Sequence, residues 1–209
     1  MPLDAQKSLL RTKVRDLRRA AWRDGGAASA VRLKDNFTAA MAAMDFPPPG
    51  AAVAGYWAAG GEMDLGPLLA HLDGAGYACA LPVVAARRAP LVFRRWRPEM
   101  ELIEGPLGIG QPGPEAAELR PRVVLCPLLA FDGEGFRLGQ GGGYYDRALG
   151  ALRAAGPVAA VGIAFAVQQV EAVPRDRRDQ RLDWAVTEQG AIRFGIQDNG
   201  LKQDLSPRP

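Results

Sequence analysis

Four stretches of this chain are apolar with almost no interruption: AAVAGYWAA at 51–59, YACALPVV at 77–84, RVVLCPLL at 122–129 and VAAVGIAF at 158–165. A strand with one face in water alternates apolar and polar residues, so runs like these read as strands buried on both faces. Segments of helical pattern lie between them, one capped by Asp64 and reaching about Ala75, another from about Gly143 to Ala155. Strands and helices in alternation predict a mostly parallel sheet covered on both sides. In such sheets ligands bind beyond the carboxyl ends of the strands. Two segments fall there: GGEMD after the first run, and a glycine-rich stretch after the third.

Two more helices are expected at the N-terminus. Residues 4–22 put Leu10, Val14, Leu17 and Ala21 at helical spacing, with Asp4 as cap and with Lys7, Arg11 and Arg15 on another face. Residues 29–44 put Leu33, Phe37, Ala40 and Met44 inward, and the prolines of FPPPG end that helix. LVFRRW (91–96) reads as a half-exposed strand and PLGIGQPGP (106–114) as irregular. WAVTEQGAIRF (184–194) reads as a strand pair turning at Gln189 and Gly190. One domain over 1–197 and a disordered tail over 198–209 are expected.

The chain has 209 residues, 48% of them hydrophobic and 23% charged, which is ample for a buried core and argues against disorder. Its net charge is +3, with 22 arginines against 4 lysines. Arginine favours paired contacts to carboxylate and phosphate. There is no dense basic block of the kind that nucleic acid requires. The N-terminal MPLDAQKSLLRTKVRDLRR is too charged for a signal peptide, and no apolar run reaches the roughly 20 residues that span a bilayer. The expectation is a soluble cytoplasmic monomer with small-molecule partners, binding neither nucleic acid nor membrane. Cys79 and Cys126 sit in apolar runs and read as buried thiols. The lone histidine, His71, falls on a predicted helix as an ordinary surface or half-buried residue. It assembles neither a His–Cys metal cluster nor a Ser-His-Asp set.

The densest chemical signal is FRLGQGGGYYDRAL, residues 136–149. It lacks the lysine and Ser/Thr of the P-loop, and Tyr144 stands where G-x-G-x-x-G needs its third glycine. The physics of anion binding is still present. Gly139, Gly141, Gly142 and Gly143 let a ligand approach bare main chain, whose successive N–H groups form an anion-binding concavity. A helix starting near Gly143 adds its partial positive charge. Asp146, in its first turn, suits a Mg²⁺ beside phosphates, since magnesium takes one or two carboxylates plus substrate oxygens. On these residues alone, a plain strand-to-helix connection with tyrosines packed beneath it is the competing reading.

PLLAFDGEGFRLGQGGGYYDRAL resembles the signature of the 5-formyltetrahydrofolate cyclo-ligases, also called 5,10-methenyltetrahydrofolate synthetases. Four other segments agree in order: QKSLLRTKVRDLR, GYWAAGGEMDL, PLGIGQP and VGIAFAVQQVEAVPRDRRDQRLDWAVTE. The resemblance spans residues 7–188. It implies an α/β fold, three-layer α/β/α, with a mostly parallel sheet and the N-terminal helices packed on it. It also implies ATP-dependent closure of 5-formyltetrahydrofolate to 5,10-methenyltetrahydrofolate with release of ADP and phosphate, through an iminium phosphate. Under this resemblance Lys7, Arg11, Arg137, Gly139, Gln140, Gly141, Gly142, Gly143, Tyr144 and Tyr145 bind ATP. Trp57, Glu62 and the loop residues Gln140, Gly141, Gly142, Gly143 and Tyr144 bind the reduced folate, with Tyr144 packing on the pterin. Asp146 and Asp179 hold Mg²⁺. Arg15, Arg18 and Arg19 read as solvated surface charge. Many members carry His where this chain has Arg178, and some carry Lys where it has Gly142. The competing functions are a paralogue of the same fold acting on another nucleotide or cofactor, and a non-catalytic folate- or nucleotide-binding module.

Overall fold

The computed structural model describes residues 1–86, 89–106 and 108–195. In chain order the elements are α1 (Leu3–Ala40), β1 (Ala52–Ala54), α2 (Gly66–Gly74), β2 (Ala78–Val83), β3 (Val92–Arg95), β4 (Ile103–Glu104), β5 (Gly110–Gln111), β6 (Val123–Pro127), β7 (Ala130–Phe131), β8 (Arg137–Leu138), α3 (Tyr144–Ala155), β9 (Ala159–Ile163), β10 (Trp184–Thr187) and β11 (Gly190–Arg193). Seven strands form one sheet in the order β11-β10-β9-β6-β1-β2-β3. The five inner strands run parallel, and an antiparallel partner closes each edge.

Alternate residues of the apolar strands feed two separate cores, which is why these runs had to be apolar throughout. Val53, Cys79, Leu81, Val123, Leu125 and Val161 pack with Leu33 and Phe37 of α1 and with Leu68, Leu69 and Leu72 of α2. Their neighbours Ala54, Ala80, Val124, Cys126, Ala160 and Ala185 pack with Ala148 and Leu149 of α3. The result is the three-layer α/β/α arrangement, with α1 and α2 on one face and α3 on the other. No helix among the described residues is long and apolar enough to cross a membrane.

This topology creates the crevice where the site lies. From β1 the chain crosses to β2 through α2 on one face, and from β6 it crosses to β9 through α3 on the other. β1 and β6 are neighbours, so their carboxyl ends diverge in opposite directions.

Several local expectations need correction. The two N-terminal helices form one 38-residue helix interrupted only at Gly25 (φ 177°, ψ 31°), and it ends at Ala40 rather than Met44. Pro2, not Asp4, is its N-cap. Leu17 is 44% exposed, because the face of α1 turned toward the sheet carries Val14 and Arg18 instead. Arg18 is 4% exposed and so is not surface charge. Residues 51–59 yield only the three residues of β1. Past Gly55 the chain curls over the sheet's end, where the Tyr56 hydroxyl donates to the Met63 carbonyl at 2.7 Å. The PLGIGQPGP segment is not wholly irregular, since β5 pairs with β4. A hairpin of β7 and β8 separates β6 from the glycine loop. The β10–β11 turn is Glu188–Gln189, because Thr187 already pairs with Gly190. The tail expected from residue 198 lies outside the described residues.

Candidate active site

A cavity of about 660 Å³ opens over the carboxyl ends of the strands. Strand ends supply Pro82, Pro127 and Leu128; the segment after β1 supplies Tyr56, Trp57 and Glu62. The first turns of α1, the glycine loop, the start of α3 and the segment around residue 179 close the remaining sides. All the residues singled out from the sequence line this one space: Lys7 and Arg11; Trp57 and Glu62; Arg137; Gly139, Gln140, Gly141, Gly142 and Gly143; Tyr144 and Tyr145; and Asp146 and Asp179.

At one end the glycine loop meets α1. Gly141 (φ 105°) and Gly143 (φ 64°) hold the left-handed backbone that glycine accepts without strain, and Gly143 is the N-cap of α3. The glycine loop and the amino end of a 12-residue helix therefore line the cavity together, an arrangement that favours anions. Gly142 is needed for closeness: a Cβ there would lie 2.8 Å from the Tyr144 ring. Arg11 Nε donates to the Gly139 carbonyl at 2.9 Å, and Arg15 Nη2 to Gln140 Oε1 at 3.1 Å. Lys7 Nζ lies 2.7 Å from Asp179 Oδ2, which also accepts the Asp176 N–H at 2.7 Å. Arg137 Nη2 donates to Asp146 Oδ1 at 2.8 Å, and the Gln180 N–H donates to the same oxygen at 3.0 Å. Arg137 Nη1 also donates to the Gln180 carbonyl. Helix α1, helix α3 and the 176–180 segment are thus tied together through charged side chains.

At the other end lies a buried polar floor. Glu62 accepts Arg18 Nη1 at 3.4 Å on Oε1 and the Ala59 N–H at 3.2 Å on Oε2. Burial pushes the Glu62 carboxyl up from its ordinary value, and Arg18 pulls it back. The Tyr145 hydroxyl is fully buried and has no hydrogen-bond partner among the described residues. A buried phenol without a partner is uncommon in a folded protein, and the Nε groups of Arg18, Arg94 and Arg95 are buried without partners as well. Tyr144 is half-buried, with the Arg147 guanidinium 5.1 Å from its ring centroid. Trp57 is 44% exposed, its ring centroid 6.3 Å from that of Trp96, and so forms part of the cavity wall rather than the core.

Sequence reasoning missed Arg18, Tyr56 and Arg147. Arg18 was detectable by spacing: Lys7, Arg11, Val14 and Arg18 recur at helical intervals and share one face of α1. Arg147 lies one turn into α3 and donates to the Gly142 carbonyl at 2.9 Å, bracing the loop. Arg178 also lines the cavity, with its guanidinium spent on Asp176, whose carboxyl it holds well below the usual range by hydrogen bonding. Burial pushes the thiols of Cys79 and Cys126 up to about 12 and about 11, as inert core groups. His71 is exposed on α2.

The fit of a divalent cation rests on the two aspartates. Asp146 and Asp179 line the same cavity, and in each only one carboxylate oxygen takes hydrogen bonds among the described residues. No group of three or more metal-ligating side chains occurs among the described residues. Two carboxylates with substrate or water oxygens completing the shell is the donor set that magnesium uses with phosphates.

Comparison with known proteins gives a consistent answer. The profile of the 5-formyltetrahydrofolate cyclo-ligase family matches residues 3–188. The chain is 36% identical over 156 residues to the 5-formyltetrahydrofolate cyclo-ligase of Escherichia coli strain K12, covering 71% of this chain and 85% of that one. It is 35% identical over 96 residues to the Haemophilus influenzae protein of the same name, covering 44% and 51%. Its fold is similar to that of the 5,10-methenyltetrahydrofolate synthetase of Aquifex aeolicus, with a TM-score of 0.74, 29% identity and coverage of 95% and 98%. The Mycoplasma pneumoniae 5,10-methenyltetrahydrofolate synthetase, at 20% identity, TM-score 0.68 and coverage of 87% and 98%, shares the fold. The chain belongs to the 5-formyltetrahydrofolate cyclo-ligase family and is a ligase that forms a carbon–nitrogen bond.

Proposed function

We propose that this enzyme uses ATP to close 5-formyltetrahydrofolate to 5,10-methenyltetrahydrofolate, releasing ADP and phosphate. The observation that carries the reading is that one cavity joins an anion-binding glycine loop to a buried floor with a carboxylate and an unpartnered phenol. A triphosphate suits the first, a flat heterocycle rich in N–H groups and ring nitrogens the second.

The chemistry explains why both ligands must meet. The formyl carbon on nitrogen 5 is amide-like, a weak electrophile with a poor leaving group. Its oxygen attacks the γ-phosphorus, ADP departs, and an iminium phosphate forms. Nitrogen 10 then attacks the activated carbon and loses its proton, the carbon–oxygen bond breaks, and phosphate leaves. The protein supplies no nucleophile; it aligns two substrates and screens charge. Lys7, Arg11 and Arg137 lie where a triphosphate would meet them, and the loop N–H groups cradle its oxygens. Asp146 and Asp179 would hold a Mg²⁺ against those oxygens, where it neutralises phosphate charge. Glu62 accepts pterin N–H donors, the Tyr145 hydroxyl donates to whichever ligand acceptor reaches it, and Trp57 and Tyr144 border the flat ring. A cytoplasmic location and a monomeric state belong to the same reading.

The test is the absorbance of the methenyl product after 5-formyltetrahydrofolate is added with and without ATP. A rise that depends on ATP, with matching ADP release, is expected. Folate binding without ADP release would make the protein a binding module; ADP release without methenyl product would assign it another substrate.

A further inference from the structure

We infer that Arg18 is a positioning residue for the folate end of the cavity, holding the Glu62 carboxylate ionised and aimed at the ligand. The inference rests on the reading above that Glu62 contacts the reduced folate. Two segments converge on the Arg18 guanidinium. Nη1 donates to Glu62 Oε1 at 3.4 Å and to the Leu128 carbonyl, beyond β6, at 3.5 Å; Nη2 donates to the Gly60 carbonyl, beyond β1, at 2.9 Å. The head group therefore clips together the two strand ends whose divergence opens the crevice. It arrives on α1, the same helix that carries Lys7 and Arg11 to the glycine loop.

Arg18 is 4% exposed, and a cation is not buried there for solubility. A planar fork with several donors suits this task, and a lysine has no second arm with which to bridge Glu62 and Gly60. The groups facing Glu62 support the assignment. Tyr56, after β1, and Tyr145, on α3, are both phenols that burial keeps neutral, so Arg18 is the cation that acts on this carboxylate. Burial drives Glu62 toward its neutral form, and Arg18 opposes that most strongly. Without Arg18, Glu62 would keep its proton to higher pH and would lose the acceptor that pterin N–H groups need.

The test is equilibrium binding of 5-formyltetrahydrofolate by calorimetry across a pH series, with Mg-ATP binding as the internal control. Wild type, Arg18→Met, Arg18→Lys, Glu62→Gln and the double variant Arg18→Lys/Glu62→Gln are compared. Arg18→Met is expected to weaken folate binding on the order of tenfold and to move its acid limb to higher pH, while ATP affinity stays within about twofold. Arg18→Lys, which keeps the charge but cannot bridge Glu62 and Gly60, is expected to restore the acid limb while keeping part of the loss in folate affinity. In the Glu62→Gln background the effect of Arg18→Lys on folate affinity should vanish. Wild-type folate affinity and acid limb in Arg18→Met would overturn the inference. So would additive losses in the double variant, a result that can be read even if Arg18→Met does not fold. Unchanged folate affinity in Glu62→Gln would instead overturn the assignment of Glu62, and Arg18's role with it.

Discussion

The charged groups at the two ends of the cavity differ in how firmly they are held. Near the glycine loop, the Lys7 and Asp179 side chains are 13% and 18% exposed and Asp146 is 28% exposed, while Arg137, the partner of Asp146, is as buried as Arg18 at 4%. On the floor, Arg18 is 4% exposed and Glu62 13%, and the Leu128 and Gly60 carbonyls accept from Nη1 and Nη2 of Arg18, while its buried Nε has no partner among the described residues. Pairs near solvent exchange partners at low cost, whereas breaking a buried pair leaves a charge without compensation. Under the proposed function, Lys7, Asp179 and Asp146 are thus the groups of the loop end that can turn to an arriving polyanion and a metal, while Arg137 stays fixed between Asp146 and the Gln180 carbonyl. The floor is built to stay as it is while a neutral ring docks against it.

The most severe way to break this comparison is at the loop end. Asp146→Asn keeps the size of the side chain and its place in the first turn of α3 but removes its charge. Turnover is expected to fall on the order of 10³-fold, with a lower melting temperature because the buried Arg137 loses its charged partner; steady-state rates at saturating ATP, taken well below that melting temperature, check it. Turnover close to wild type would remove Asp146 from the phosphate site.

Stability sharpens the same contrast. Arg18→Met is expected to destabilise the fold by about 3 kcal/mol, because Glu62 is left buried and unpaired. Lys7→Met, which breaks the more open pair with Asp179, is expected to cost no more than about 1 kcal/mol. Urea unfolding of both variants measures the difference. Equal losses would mean that the two ends are held alike.

A smaller effect separates binding from folding. Tyr145→Phe removes a hydroxyl without a hydrogen-bond partner among the described residues, so stability should be unchanged or slightly higher. If a ligand uses that hydroxyl, affinity for one of the two substrates drops about fivefold, worth about 1 kcal/mol. Calorimetric titration with each substrate tells which one it is. Unaltered binding of both would make the phenol a mere packing group.

The smallest signal is the pH dependence of stability contributed by Glu62. Burial raises its folded-state value above the ordinary 4.5, so the folded chain holds this proton to higher pH than the unfolded chain does. Stability should therefore decline as pH rises through the window beginning near 4.5, and Glu62→Gln should remove that part of the slope. Unfolding at a series of pH values, for wild type against Glu62→Gln, isolates it.

Much of the architecture was legible before any coordinates. Unbroken apolar runs have one good burial, between two layers, and α3 begins where the glycines end, at Tyr144. That these candidate residues line one cavity was legible through the composition of the glycine loop and its resemblance to a known signature. Arg18 was misread because an amphipathic pattern ranks arginine as outward by default, and only the convergence of the Gly60 and Leu128 carbonyls makes an inward arginine tolerable. Leu17 was misread for the complementary reason: the face that packs at the end of the sheet is partly polar because it borders a cavity.

The sequence by itself determined which segments are strands buried on both faces, where the anion-binding turn falls, and that α1 carries its cations at helical intervals. These follow from local periodicity and from the backbone freedom of glycine. Only the tertiary structure decided that Lys7 would meet Asp179 across 172 positions, that Arg18 would close over Glu62, and that the Tyr145 hydroxyl would be left without a partner among the described residues. Distance along a chain carries no information about distance in space once a sheet has brought remote strand ends together, and burial, which sets the strength of each charge, exists only in the packed molecule.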